Sequence, residues 1–236
     1  AENTEMMDKS ISSMYCDPSS NSELWISASN SITKIYMNLP FTVINEKSGY
    51  AGSVNNFTSL NNSVYLVTDL GLFKSNVDAE GSRKFEQVND INAQMFSIIA
   101  AKTERDSFLL ATSNYNSFYQ VLPDGRSRLL SSVTRDPSRT VFQSGFRKSR
   151  FYLGLTKGYI MILDYISGKW NIYGNITNLP GMTAAYGELD NGDLIVLTSY
   201  PDGLFRIPFN DSIPVQYTAE KGIPDDELNN LAKYND

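Results

Sequence analysis

The 236-residue sequence contains no histidine. That absence removes Ser-His-Asp and Cys-His catalysis, histidine-ligated zinc and a histidine pH switch together. Cysteine is limited to Cys16, so an intrachain disulfide and a cysteine-cluster metal site are excluded. The calcium-loop pattern Asp-x-Asn-x-Asp-Gly is missing as well. Neither a metal nor a cofactor is expected. No apolar run approaches the roughly 18 residues that a membrane-spanning helix needs. The opening residues AENTEMMDKS are polar and acidic and carry no signal-peptide pattern. The first residue is Ala rather than Met, so the sequence reads as a processed chain or an excised fragment. Basic charge is scarce too, with 20 Lys and Arg against 26 Asp and Glu and a net charge of −6. Phosphate binding needs a concentrated basic face, so nucleic acid is not expected as a partner.

What is present points to strands. Hydrophobic residues are 41% and charged residues 19%, which suits a packed core rather than disorder or a membrane. Tyr (14) and Phe (12) are abundant, and aromatic side chains favour pleated, half-buried surfaces. Short apolar runs lie between Asn, Ser, Gly and Asp: LWISAS at 24–29, VYLVT at 64–68, SFLLAT at 107–112, FYLGL at 151–155 and DLIVLT at 193–198. Such runs read as strands, and no segment keeps a helical apolar period over four turns.

The runs repeat. Aligning Leu24, Val64, Phe108, Phe151 and Asp193 gives spacings of 40, 44, 43 and 42 residues. Each run is followed by a turn and a second apolar run, with Gly71, Gly158 and Gly203 in three of the turns. A second phase has the same period: Phe41, Phe85, Leu129 and Trp170 open further runs, and Tyr217 follows Tyr173 by 44. One more strand lies between each opener and its hairpin. Four short antiparallel strands in about 42 residues is the signature of a β-propeller. The expected all-β fold is a single domain over 1–236 with blades near 41–76, 85–122, 129–164 and 170–207. Partial blades are expected at 10–37 and 213–236, about five in all, as in a fragment of a larger propeller. The two ends should then pair with each other or with a neighbouring molecule, giving a dimer.

ELWIS at 23–27, NLPGMTAAYGELDNGDLIVLTSYPDGLFRI at 178–207 and GIPDDELNNLAKYND at 222–236 resemble the two-component regulator propeller repeat. The departures fall at packing positions: the strand Trp survives as Trp25, with Tyr65, Leu109, Tyr152 and Leu194 elsewhere, and the strand Gly is replaced by Ser27 and Val67 in the first two units. The resemblance implies an extracytoplasmic input region of a hybrid two-component sensor, periplasmic or extracellular. It implies an oligosaccharide or similar small ligand and the rest of the sensor protein as partners. The other reading is a non-catalytic protein-interaction scaffold. No enzymatic activity is expected.

Ligands are expected at loops following the second strand of each unit and at loops between units. By this reading the first set holds Asn61–Asn62, Glu104–Asp106, Arg147–Arg150 and Asp190–Gly192. The second set holds Asp78–Lys84, Pro123–Arg126 and Ser167–Lys169. Arg147, Lys148 and Arg150 form the densest basic cluster, suited to an acidic sugar or a partner carboxylate, with a solvated turn as the plainer reading. Tyr50, Tyr115 and Tyr200 are candidates to stack on sugar faces, with core filling as the plainer reading. Cys16 is expected to be a small buried side chain.

Overall fold

The computed structural model describes residues 11–16, 23–28, 31–36, 42–77, 83–88, 91–114, 118–130, 136–199, 203–209, 211 and 213–217. Among them, twenty strands form five four-stranded antiparallel sheets in which each strand pairs with the next in sequence. These are the blades of a β-propeller. The first blade is β1 (Ile11–Cys16), β2 (Glu23–Ala28), β3 (Ser31–Tyr36) and β4 (Thr42–Asn45). The second is β5 (Val54–Leu60), β6 (Ser63–Thr68), β7 (Gly71–Val77) and β8 (Arg83–Gln87). The third is β9 (Met95–Lys102), β10 (Ser107–Ser113), β11 (Phe118–Val121) and β12 (Ser127–Leu129). The fourth is β13 (Ser138–Gln143), β14 (Arg150–Leu155), β15 (Tyr159–Ile166) and β16 (Lys169–Ile176). The fifth is β17 (Met182–Glu188), β18 (Leu194–Ser199), β19 (Gly203–Ile207) and β20 (Val215–Tyr217).

The strand count and period agree with the sequence expectation, but the phase does not. The runs taken as openers close the preceding blade: β8 pairs with β7, β16 with β15 and β20 with β19. The blade limits therefore shift to 11–45, 54–87, 95–129, 138–176 and 182–217. The expected partial blades at 10–37 and 213–236 are corrected in the same step. The first sheet has its fourth strand in β4, and Val215–Tyr217 is the fourth strand of the fifth sheet. A period of about 42 residues cannot distinguish these phases, because shifting the start by one strand leaves every spacing unchanged. Segment 222–236 lies outside the described residues.

Local chemistry explains the meander. Asn61 and Asn62 have φ of 50° and 64°, the pair of left-handed residues that a type I′ two-residue hairpin requires between β5 and β6. Ser167 and Gly168, at 51° and 79°, do the same between β15 and β16. Trp25 and the four positions aligned with it (Tyr65, Leu109, Tyr152 and Leu194) are all buried, as packing positions should be. In β1 the two-residue period turns Met14 and Cys16 outward, so Cys16 is exposed rather than buried.

Two compact units divide the chain. One holds 1–100, 108–114 and 119–129, with a core around Trp25, Ile32, Phe57 and Leu66 and another around Tyr65, Leu72, Ile91 and Leu109. The other holds 101–107, 115–118 and 130–236, with a core around Tyr152, Ile160, Val196 and Phe205. Among the described residues no helix is long and apolar enough to cross a membrane, and no group of three or more His, Cys, Asp or Glu could hold a metal ion.

Candidate functional site

The antiparallel meander puts the turn from first to second strand and the turn from third to fourth strand at the same end of each blade. In the second unit this brings together three of the loops named from sequence. Ser144–Ser149 joins β13 to β14, Thr103–Asp106 joins β9 to β10, and Ser167–Gly168 joins β15 to β16. The last of these lies within a blade, not between blades as expected. Together they surround a cavity of about 670 Å³ lined by Thr103, Glu104, Arg105, Asp106, residues 145–149 and 165–167.

The β13–β14 loop is held by its neighbours on both sides. The Gln143 side chain accepts from Lys102 N (3.0 Å) and donates to Lys102 O (2.9 Å), imitating one more backbone pair. Its amide also donates to Lys148 O at 2.6 Å. On the other side the Glu188 carboxylate accepts from Gly145 N (2.6 Å), Phe146 N (3.1 Å) and the Ser144 hydroxyl (2.7 Å). Arg147 N donates to Ser144 Oγ at 2.8 Å and closes the turn. A surface turn with this many fixed donors presents its side chains in one arrangement, so little ordering is left to the moment of binding.

Arg105, Arg147 and Lys148 border this cavity, and none forms an ion pair among the described residues. Arg147 instead lies 4.5 Å over the Phe209 ring, which also meets Phe146 edge-on at 5.1 Å. Phe146 and Ile166 are each 56% exposed at the mouth. Glu104 and Asp106 add carboxylates to the same wall. The cavity thus offers guanidinium and ammonium donors to an anion, carboxylate acceptors to hydroxyl groups, and an apolar lip.

The other predicted residues fall elsewhere. Arg150 belongs to the sequence cluster but not to this cavity. It is buried and grips Asp164 with two hydrogen bonds of 2.9 and 3.0 Å. The Tyr173 ring covers it at 3.8 Å, and the Asp164 carboxylate raises its already high pKa. Tyr50 is not a ligand platform. It is buried in the core shared by the first two blades, edge-on to Phe85 at 5.7 Å, with its hydroxyl donating to Ile44 O at 3.5 Å. The connection from β4 to β5 folds it inward, so core filling is its role. Tyr115 and Tyr200 lie outside the described residues.

A second hollow of about 300 Å³ opens between the fourth and fifth blades. Its floor is Ile162, Ile176, Leu194 and Ile207, its walls are Tyr173 and Phe209, and Arg147 stands at its rim as well as at the first cavity. The wall residues were not singled out from sequence. One signal was available: Asp193 puts a carboxylate in a column otherwise holding Leu24, Val64, Phe108 and Phe151. Asp193 is buried and accepts from Phe209 N (2.9 Å), Arg206 Nε (2.6 Å) and Asn191 Nδ2 (3.0 Å), so it fixes the Phe209 wall. The Phe209 amide, then Arg206, hold its carboxyl below the ordinary aspartate range.

No family profile and no curated protein matches the sequence. Solved structures do match the fold. Catalytically inactive virginiamycin B lyase from Staphylococcus aureus with quinupristin superposes at a TM-score of 0.70, with 12% identity over 93% of this chain and 72% of that one. The WD40 β-propeller domain of Doa1 gives 0.63 and 13% identity over 84% of this chain, which spans 65% of that one. YCF48 bound to D1 peptide gives 0.62 and 13% identity over 91% of this chain and 69% of that one. At these identities the likeness is one of fold. The neighbours include a lyase and a protein bound to a peptide.

Proposed function

We propose that this chain is a non-catalytic ligand-binding propeller. In this reading it is the extracytoplasmic input module of a two-component sensor, and its ligand is an anionic oligosaccharide. One observation carries the reading: three cations that form no ion pair among the described residues border a preformed 670 Å³ cavity in a chain whose net charge is −6. The chain has ample carboxylates to neutralise them, and pairs Arg150, Arg206 and Arg126 elsewhere. A guanidinium left free at a hollow of ligand size suits an incoming carboxylate or sulfate, and Glu104 and Asp106 suit sugar hydroxyls. The repeat resemblance supports the sensor context. Solved propellers of this fold accept a small molecule in one case and a peptide in another, so the site chemistry makes the choice.

The test is titration of the whole chain with uronate-bearing and neutral oligosaccharides of equal length. Binding of the anionic series alone, weakened at least about tenfold by joint Arg105→Glu and Lys148→Glu substitution, supports the reading. Equal affinity for both series, or no effect of the substitutions, refutes it. The protein-scaffold alternative draws on exposed Phe146 and Ile166, and no binding of any glycan would favour it.

A further inference from the structure

We propose that the hollow between the fourth and fifth blades is a peptide-docking pocket that takes one aromatic or bulky aliphatic side chain with an Asp or Glu beside it. This pocket meets the oligosaccharide cavity only at Arg147, which borders both, and its argument does not depend on that reading. Its floor is apolar, made by Ile176, Leu194 and Ile207, which are buried core residues, so it offers sugar hydroxyls few partners. A volume of about 300 Å³, less than half that of the first cavity, has room for one large side chain.

The walls are built, not incidental. In β16 the register against β15 slips between Ile162 and Leu163, which leaves Tyr173 as an unpaired bulge residue. A bulge re-aims a side chain. Here it lays the Tyr173 ring over the Arg150 guanidinium at 3.8 Å while leaving the residue 63% exposed. Opposite, Asp193 holds Phe209 by its amide, and Arg147 caps that ring at 4.5 Å.

Charge complementarity fixes the occupant. Arg147 is the rim cation and forms no ion pair among the described residues, although the Asp211 carboxylate lines the same hollow, so an acidic group on the guest complements Arg147. Aromatic walls, an apolar floor and an unpaired Arg at the edge are the composition of an interface hot spot.

The experiment is selection of a phage-displayed random dodecapeptide library on the full chain, followed by affinity measurement on synthetic peptides. Enrichment of Phe, Tyr, Trp or Leu within two positions of Asp or Glu is expected. Ile162→Trp, which fills the pocket, Phe209→Ala, which removes a wall, and Arg147→Glu should each weaken the selected peptides at least about tenfold. The Arg105→Glu/Lys148→Glu pair at the oligosaccharide cavity should leave them within about threefold. Phe209→Ala and Arg147→Glu keep the test decisive if the larger Trp does not fold. Selection without this motif, or peptides indifferent to all three pocket substitutions, would overturn the proposal.

Discussion

Gly154 lies at the centre of the fourth blade, and its missing side chain is occupied by others. A methyl group there would run into the Thr140 hydroxyl, reach 2.5 Å from the Tyr186 hydroxyl oxygen and stand 2.7 Å from Thr183 Cβ. Tyr186 reaches in from the fifth blade, stacked on Phe142 at 5.9 Å, and its buried phenol is shifted upward by desolvation. Gly154 is the strand glycine of the repeat, and the first two units hold Ser27 and Val67 at the aligned position. Gly154→Ala is expected to destabilise the chain by about 1–3 kcal/mol, the cost of overpacking a filled core. A urea unfolding midpoint unchanged from the parent would show that Thr140 and Tyr186 can move aside.

At the scale of strands and loops, much was legible in the sequence and one thing was not. The apolar run of β14 and the Gly and Asn turns name their elements directly, because a buried strand and a left-handed turn each demand particular residues. The fourth strands were legible as strands but not as members of a blade. From sequence KWNIYGNI is assigned forward because Ser167–Lys169 reads as a connection between units, whereas Ser167 and Gly168 make a tight two-residue hairpin back to β15. The site followed the same division. Arg147 and Lys148 were readable because charge in a turn is local, whereas Tyr173 and Phe209 become walls only through a bulge and a buried Asp193. Glu188 was hidden for the same reason: its three hydrogen bonds all cross to residues 42 or more positions away. Glu188→Ala should therefore release the β13–β14 loop while sparing the strands. Losing these bonds costs about 1–2 kcal/mol locally, so amides 145–147 should exchange about tenfold faster. Hydrogen exchange of the paired β14 amides should not change. Faster exchange across both segments would mean that Glu188 supports the blade rather than the loop.

For the molecule as a whole, the missing histidine decides how stability responds to pH. Between the carboxylates and the tyrosines, His is the side chain whose ordinary pKa falls near neutrality, and none is present. Stability should be level from about pH 5.5 to 7.5 and fall on both sides for separate reasons. On the acid side, Asp136 is held below its usual range by Lys157 and Tyr159, and Asp193 by the Phe209 amide and Arg206. A depressed folded pKa contributes stability that is complete above the unfolded value of 3.8 and disappears as pH falls through the lower folded value. Below that point the 26 acidic side chains lose their charge and the 20 Lys and Arg repel one another, so the acid limb should be steep. On the alkaline side Tyr159, bonded to Asp136 at 2.5 Å, has its pKa pushed up to about 12 by burial and by that carboxylate. A raised folded pKa gives stability that is complete below 10 and lost as pH rises through 12. Thermal midpoints measured from pH 2.5 to 12 should trace this plateau with two flanks. Asp193→Asn should lower the plateau and flatten the acid limb, and Tyr159→Phe should flatten the alkaline limb and, by releasing Asp136, a smaller part of the acid one. A step in the midpoint between pH 6 and 7.5 would contradict the account, because no side chain in the argument changes charge there.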